Sequence, residues 1–543
     1  MNFVLNKSVR KNSTGIQIYK GDHIMSKVIT AQQAAALVKD NDTLGIQGIV
    51  ATSIPQYLID ALAQRYDDTQ SPKNLTIFYE ASLGDNADGG TNAIAKDGLI
   101  GKLKCAHVGT SPKIAAMVSA NKFPAFLYPQ GVAAQLVRAI AGHKVGVITN
   151  VGLGTFADPR IEGCKINQAA IDSGEEVVEL MNIDGKEYLR YKPFPINICF
   201  IRGTYADQKG NLTLEKESVE YDQLEMAAAV HNSGGIVIAE VLGAVENGTL
   251  KPHDVVVPGH FIDYIVVAPA DEHRQCLADP DFHPEWCGEA RLPIAGKEIA
   301  PLNVRKVCGR RTAMEVKSGY HVNLGIGMPE EVAGVAAEEG FADTLTMSVE
   351  CGIFGGVPEA GMKICSAYDP DAIITQLNTF DIYDGGGCDL AVMGGAEVDS
   401  HGNVNVSKFN GRIVGPGGFI NITTNTRNIV FVGTLTAGGA KFEIGDGKLV
   451  IKNEGKVKKY VKDVEQITFS GEYAAKTGKN ILYVTERCVF KLVEGGLKLI
   501  EIAPGVDLQR DILDQMEFAP IIADDLKLMD ARIFTDEPMN LTV

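Results

Sequence analysis

Two stretches of this chain spell out one local plan, and that repetition limits the fold more than any other feature. Val38-Lys-Asp-Asn-Asp-Thr-Leu-Gly45-Ile-Gln-Gly48, then Ile54-Pro55, is echoed by Val316-Lys-Ser-Gly-Tyr-His-Val-Asn-Leu-Gly325-Ile-Gly327-Met-Pro329. In each, a helix-like segment leads through a turn into a short apolar strand, a glycine turn and a proline suited to the start of the next helix. A second pair follows: Ala206-Asp207-Gln-Lys-Gly210-Asn211-Leu-Thr-Leu214 and Val398-Asp399-Ser-His-Gly402-Asn403-Val-Asn-Val406. Each reads as a strand, an Asp-x-x-Gly-Asn turn and a second strand. The motifs lie 162 residues apart in the first half (207 minus 45) and 74 in the second (399 minus 325), so the first half carries an insertion that includes Glu175 to Arg202. The expected fold is α/β, with two pseudo-repeated open α/β domains, the first with an insertion. Prolines 280, 284, 293 and 301 mark the joint, giving an extension over 1–24, domains over 25–275 and 301–543, and a linker over 276–300. Alternating runs beyond Gly439 predict a strand-rich finish.

At 543 residues the chain exceeds one ordinary core, in keeping with two units. Its net charge of −17 (51 minus 68) argues against nucleic acid or a membrane surface as the main partner. No apolar run reaches the roughly 18 residues of a membrane span, and no signal-peptide core opens the chain. The first 24 residues, basic and followed by Met25, read as a disordered extension or an upstream start. Ten scattered cysteines read as buried free thiols in a reducing cytoplasm. His273, Cys276, His283 and Cys287 have metal-ligand types, but their spacing matches no common zinc frame, so no metal is expected.

Leu345-Thr-Met-Ser-Val-Glu350-Cys-Gly-Ile-Phe-Gly-Gly-Val-Pro358 puts a carboxylate at the end of an apolar strand. In open α/β sheets that edge is where ligands bind, and a Glu there can act as base, ligand or covalent nucleophile. Gly352, Gly355 and Gly356 are expected to clear room for a ligand. Further glycine loops at 325–329, 385–387 and 415–418 offer backbone N–H groups to phosphate or an oxyanion. Rossmann spacing is absent from both halves.

From about Lys27 onward the chain resembles the family I CoA-transferases, most closely the propionate and acetate enzymes with fused subunit types. The carriers are Gly48 to Pro55, Ile201 to Asp207, Val322 to Pro329, Glu350 to Gly356, Phe380 to Gly387, Asn403 to Phe409 and Gly415 to Ile422. The resemblance implies a short-chain acyl-CoA:carboxylate CoA-transferase, acting on acids such as acetate, propionate, butyrate or lactate by ping-pong chemistry at Glu350. It implies oxyanion or substrate contacts at Gly48, Ile49, Val50, Gly417 and Gly418. CoA contacts are implied at Asn323, Gly325, Ile326, Gly327, Met328, Pro329 and Lys408. It also implies no bound cofactor beyond CoA as substrate and covalent thioester, and a cytoplasmic homo-oligomer, dimer or tetramer. Water intercepting the same thioester would make a hydrolase instead, and a related fold can also bind metabolites without chemistry. Cys351 stands where the family commonly has Ser or Asn, and Ile49 where an aromatic is frequent, which bears on acid preference.

Overall fold

The computed structural model describes residues 9–11, 17–19, 27–292 and 300–543. Apart from an antiparallel pairing of Val9–Lys11 with Gln17–Tyr19, the expected N-terminal extension lies outside the described residues, as does 293–299 of the expected linker.

The first copy of the repeat opens on α1 (Ala31–Leu37). The Thr30 hydroxyl accepts from the Gln33 amide at 3.1 Å, and the Gln33 side chain accepts from the Thr30 amide at 2.9 Å. This reciprocal pair is a capping box. There follow β1 (Thr43–Ile46), the glycine turn, and α2 (Gln56–Thr69) capped by Pro55. Then come β2 (Leu75–Phe78), β3 (Ile100–Cys105), β4 (Ala125–Leu127) and α3 (Gln130–Ala141). After an excursion, β8 (Ile198–Asp207), α4 (Gln223–Asn232), β9 (Ile236–Val245) and β10 (Tyr264–Val267) complete a parallel sheet of order β10-β9-β8-β1-β2-β3-β4. Every residue of β8 is buried, as a parallel strand covered on both faces requires.

The excursion holds β5 (Val147–Thr149), β6 (Val178–Ile183) and β7 (Lys186–Tyr191), a small antiparallel sheet of order β5-β7-β6. The insertion expected over Glu175 to Arg202 is therefore too long at its end: Ile198 to Arg202 belong to β8, in the middle of the main sheet. An unbroken apolar run looks alike in an appended sheet and a buried core strand.

The second copy begins with α5 (Val304–Ala313), β11 (His321–Leu324) and α6 (Glu331–Glu338). Next are β12 (Thr346–Val349), β13 (Ile353–Phe354), β14 (Ala372–Ile373), α7 (Gln376–Asp384) and β15 (Leu390–Met393). The expected strand-rich finish follows α8 (Phe419–Asn425), with β16 (Asn428–Val432), β17 (Asn480–Val484), β18 (Cys488–Val493), β19 (Gly496–Ile502) and β20 (Ile521–Leu528). The sheet order is β14-β13-β12-β11-β15-β16-β17-β18-β19-β20.

Within it, β17-β16-β15-β11-β12 reproduces the parallel order of β10-β9-β8-β1-β2 in the first sheet. The paired turns agree atom for atom. Asp207 Oδ1 accepts from the amides of Lys209 (2.9 Å) and Asn211 (3.0 Å), and Oδ2 from Asn211 Nδ2 (2.8 Å). Asp399 Oδ1 accepts from His401 (2.9 Å) and Asn403 (3.0 Å), and Oδ2 from Asn403 Nδ2 (2.9 Å). Asn211 Oδ1 then accepts from the Gly259 amide at 2.9 Å, and Asn403 Oδ1 from the Gly471 amide at 3.0 Å. The repeat seen in the sequence is thus a repeat of topology and of hydrogen bonding.

Candidate active site

Glu350 lies one residue beyond β12, in the turn to β13 that closes when the Gly352 amide donates to Val349 O at 3.0 Å. Because β12 runs parallel to β11, with Asn323 opposite Ser348, the carboxyl stands at the carboxyl edge of the sheet. The residue is half-buried. Burial raises its pKa above the ordinary value, opposed by a hydrogen bond with its own backbone. A carboxylate that has shed part of its water is the more reactive for it. Beside it, Val349, Cys351 and Ile353 pack on Ile49, Ala81, Val219 and Tyr221 of the first half. The candidate nucleophile therefore sits where the two halves meet, as sites between domains commonly do.

The glycines after Glu350 have a different purpose from the one expected. A Cβ on Gly352 would lie 1.8 Å from Ile374 O, one on Gly355 2.0 Å from an Asp371 carboxyl oxygen, and one on Gly356 2.4 Å from Tyr368 O. All three have positive φ, at 109°, 69° and 67°. Protein, not open space, fills the room they leave: residues 368–374 run against the Glu350 turn, and the Ile374 amide donates to Gly352 O at 2.9 Å.

Behind the turn is a polar network. Ser348 Oγ lies 2.6 Å from His321 Nε2 and 2.7 Å from Tyr383 Oη. Asn323 Nδ2 donates to Tyr383 Oη (3.0 Å) and Ser348 O (3.2 Å), and His321 Nδ1 is 2.7 Å from Gly387 O. Ser348 lies in β12, two residues before Glu350. Burial chiefly, with Glu350 among the smaller causes, holds the Tyr383 hydroxyl well above its ordinary pKa. Asn323, expected to touch CoA, is 1% exposed and spends its amide on this network; it positions the strand under Glu350 instead.

The loop Gly325 to Pro329 is open. Ile326 is 58% exposed, and Gly327, at φ 92°, has nothing near its missing Cβ. The Gly325 amide donates to Val392 O at 2.8 Å, and Arg305 Nη2 to Gly327 O at 2.8 Å. Met328 is half-buried and Pro329 buried, at the start of a short helical turn. Lys408 lies half-exposed in a hairpin near Glu162, whose pKa burial raises against the opposing pull of Gln466 and then Lys408.

The expected oxyanion donors are largely committed. The Ile49 amide donates to Thr52 O (3.0 Å), that of Val50 to Ser82 O (2.7 Å) and that of Gly417 to Ala106 O (3.3 Å). Gly418 caps α8. Gly48 has φ 125°, where a Cβ would meet Ile54 at 2.9 Å. Val50 is a β-branched residue at φ 54°, a strained conformation of the kind that concentrates at functional sites.

Several junction residues escaped the sequence reading. Gln130 Nε2 donates to Gln376 Oε1 (2.7 Å), whose own Nε2 donates to Asp222 Oδ2 (3.1 Å); Asp222 Oδ1 accepts from the Leu377 amide (3.0 Å). Burial, then Glu225, pushes the Asp222 carboxyl up to about 7. Glutamines and a lone Asp scattered over 246 residues leave no local signal. The His/Cys stretch disperses onto other partners. His273 Nε2 lies 3.2 Å from Glu217, while His283 faces Glu285 (3.0 Å) and Asp279 (3.2 Å) and stacks on Trp286. All ten cysteines are free thiols, nine of them buried. Among the described residues no helix is long and apolar enough to cross a membrane.

Comparison with known proteins gives concordant matches. The Coenzyme A transferase family profile matches residues 28–268. The caffeate CoA-transferase of Acetobacterium woodii is 45% identical over 518 residues, 94% of this chain and 98% of that protein. The acetate CoA-transferase YdiF of Escherichia coli K12 is 44% identical over 521 residues, 95% and 96% of the two chains. The crystal structure of the acyl-CoA transferase YdiF of E. coli O157:H7, as its thioester complex with CoA, superposes with a TM-score of 0.90 at 43% identity. It covers 96% of this chain and 99% of that one.

Proposed function

Since the chain belongs to the coenzyme A transferase family, and is accordingly a CoA-transferase that carries CoA through a covalent thioester, we propose that Glu350 is its nucleophile and that its substrates are short-chain carboxylic acids. The carrying observation is the placement of Glu350: a half-buried carboxylate of raised pKa, on a strand-tip turn, at the junction of the halves. A Glu350 oxygen attacks the acyl-CoA carbonyl and expels CoA thiolate, leaving an acyl-glutamyl anhydride. The thiolate attacks the glutamyl carbonyl, forming the glutamyl-CoA thioester and releasing the first acid as its carboxylate. An incoming carboxylate runs the steps in reverse and departs as the new acyl-CoA. One thioester is exchanged for another of similar energy, so neither half-reaction is a trap, and no external energy enters.

His321, Ser348, Tyr383 and Asn323 hold the strand that presents Glu350. In this reading the loop Gly325 to Pro329, open at Ile326, meets CoA together with Lys408. Among the five residues expected at the oxyanion, Gly48, Ile49, Val50, Gly417 and Gly418, the Gly418 amide is the donor this reading favours. Ile49, Val50 and Gly417 would have to exchange their present hydrogen bonds, and the strain at Val50 favours such a rearrangement. A cytoplasmic homo-oligomer belongs to the same reading, supported by the free thiols and the family resemblance.

Incubation with propionyl-CoA, borohydride reduction and peptide mapping tests the assignment. The expected result is a reduced, lighter residue at position 350, with no label and no transfer in Glu350→Gln. An unmodified Glu350 in a protein that still transfers CoA would refute it. A requirement for an acceptor acid distinguishes transfer from hydrolysis.

A further inference from the structure

Buried polar atoms without partners gather on the first-half side of Glu350. Gln47 Nε2 and Oε1 and both carboxyl oxygens of Glu80 make no hydrogen bond among the described residues, Tyr221 Oη beside them has Gln376 as a partner, and the three residues are 1%, 0% and 1% exposed. The β1–β2 register pairs Leu44 with Ile77 and Gly45 with Phe78. Continued by two residues, it sets Gln47 beside Glu80 with both side chains on one face. That face looks toward α4, because Gly45, two residues before Gln47, abuts Met226 of that helix. Tyr221, Asp222 and Glu225 stand at the head of α4. Burial first, then Asp222 and Glu225, keeps the Glu80 carboxyl well above the usual range, which favours the protonated form that can both donate and accept.

The cluster adjoins the reaction centre. Ile49, two residues past Gln47, Ala81, next to Glu80, and Tyr221 itself pack on Val349 and Cys351, which flank Glu350. Protein interiors seldom leave such groups unpaired, and an unexplained set in one place points to a missing partner.

We propose that Gln47, Glu80 and Tyr221 form the polar end of the acyl pocket, holding a neutral hydrogen-bonding substituent such as a hydroxyl on the acid bound at Glu350. This rests on the transferase reading above. A hydroxyl both donates and accepts, matching what the side chains offer. A second carboxylate would have to give up its water in a buried site lined by acids, and a plain alkyl chain would leave the buried groups unpaired. A site built for a hydroxyl discriminates strongly against the analogue lacking it.

The test is steady-state transfer from acetyl-CoA to propionate, 2-hydroxypropionate, butyrate, 3-hydroxybutyrate and succinate, with the parent enzyme and with Gln47→Leu, Tyr221→Phe and Glu80→Gln. The expected parent preference is about tenfold or more in kcat/KM for one hydroxy acid over its alkyl counterpart, with succinate poorest. Gln47→Leu and Tyr221→Phe should cut that ratio by about tenfold through KM, whereas Glu80→Gln, which keeps a donor and an acceptor, should preserve it. Gln47→Leu should melt no lower than the parent, since it removes unpaired buried atoms; a purely structural glutamine would show the opposite. Equal use of hydroxy and alkyl acids by the parent, or an unchanged ratio in both variants, overturns the pocket and leaves the transferase standing. Failure of the parent to transfer CoA to any acid overturns the transferase reading, and the pocket with it.

Discussion

Gly352→Ala tests why glycine follows the candidate nucleophile. The residue has φ 109°, and an added Cβ would lie 1.8 Å from Ile374 O. A side chain in that conformation costs about 1–3 kcal/mol. Relieving the overlap means displacing β14 and its continuation, an overpacking cost of about 1–3 kcal/mol. Opening the 2.9 Å hydrogen bond from the Ile374 amide to Gly352 O forfeits about 1 kcal/mol more. The sum is about 5 kcal/mol at mid-range. Gly327→Ala is the control: φ is 92° but the space is open, so only the conformational part applies, about 2 kcal/mol. Urea titrations of both variants, followed by fluorescence and by CoA transfer, should separate them by about 3 kcal/mol. Gly352→Ala should also lose transfer, because the Glu350 turn is carried along with the displaced strand. If Gly352→Ala is as stable as Gly327→Ala and fails only to bind acyl-CoA, ligand clearance explains the glycine and the packing argument is wrong.

Two pH dependences follow from the buried carboxyls. Glu350 must be ionised to attack, and its pKa is raised by burial, so kcat/KM for acyl-CoA should fall as pH drops through a value above the ordinary 4.5; a midpoint at or below 4.5 would contradict the assignment. For Glu217, burial acts to raise the pKa, but Arg202 at 3.0 Å, then His273 and Ser53, outweigh it and bring the carboxyl down to about 2. A depressed folded pKa gives stability that is full above the ordinary carboxyl range and lost as pH falls from 4.5 toward about 2. Glu217→Gln should flatten that limb of the stability curve, by roughly 3 kcal/mol in all, and an unaltered acid limb in urea titrations at stepped pH would refute the ion cluster as its source.

What was legible in the sequence was local or repeated. The Asp207 and Asp399 turns declare themselves within five residues, and the strand before Glu350 ends in a visible break, so the fold class and the acid at the sheet edge could both be read. Misreadings arose where meaning depended on distant chain. Gly352 looks the same whether it faces a ligand or Ile374 O, and Asn323 looks like a ligand contact until Tyr383, 60 residues on, takes its amide. Gln47 and Glu80 become neighbours only through strand register, which no short window contains. Ile198 to Arg202 read as inserted because an apolar run does not say which sheet receives it.

The two Asp-x-x-Gly-Asn turns make this protein its own replicate experiment. Asp207 and Asp399 are each 3% exposed, and their carboxylates accept matching bonds from matching atoms, yet one is anchored onward to Gly259 and the other to Gly471. Asp207→Ala and Asp399→Ala therefore delete one set of contacts in two surroundings of a single molecule, under identical solvent, temperature and concentration. Any difference between their effects belongs to the neighbourhood and none to the bonds, which is a separation that comparisons between proteins rarely permit.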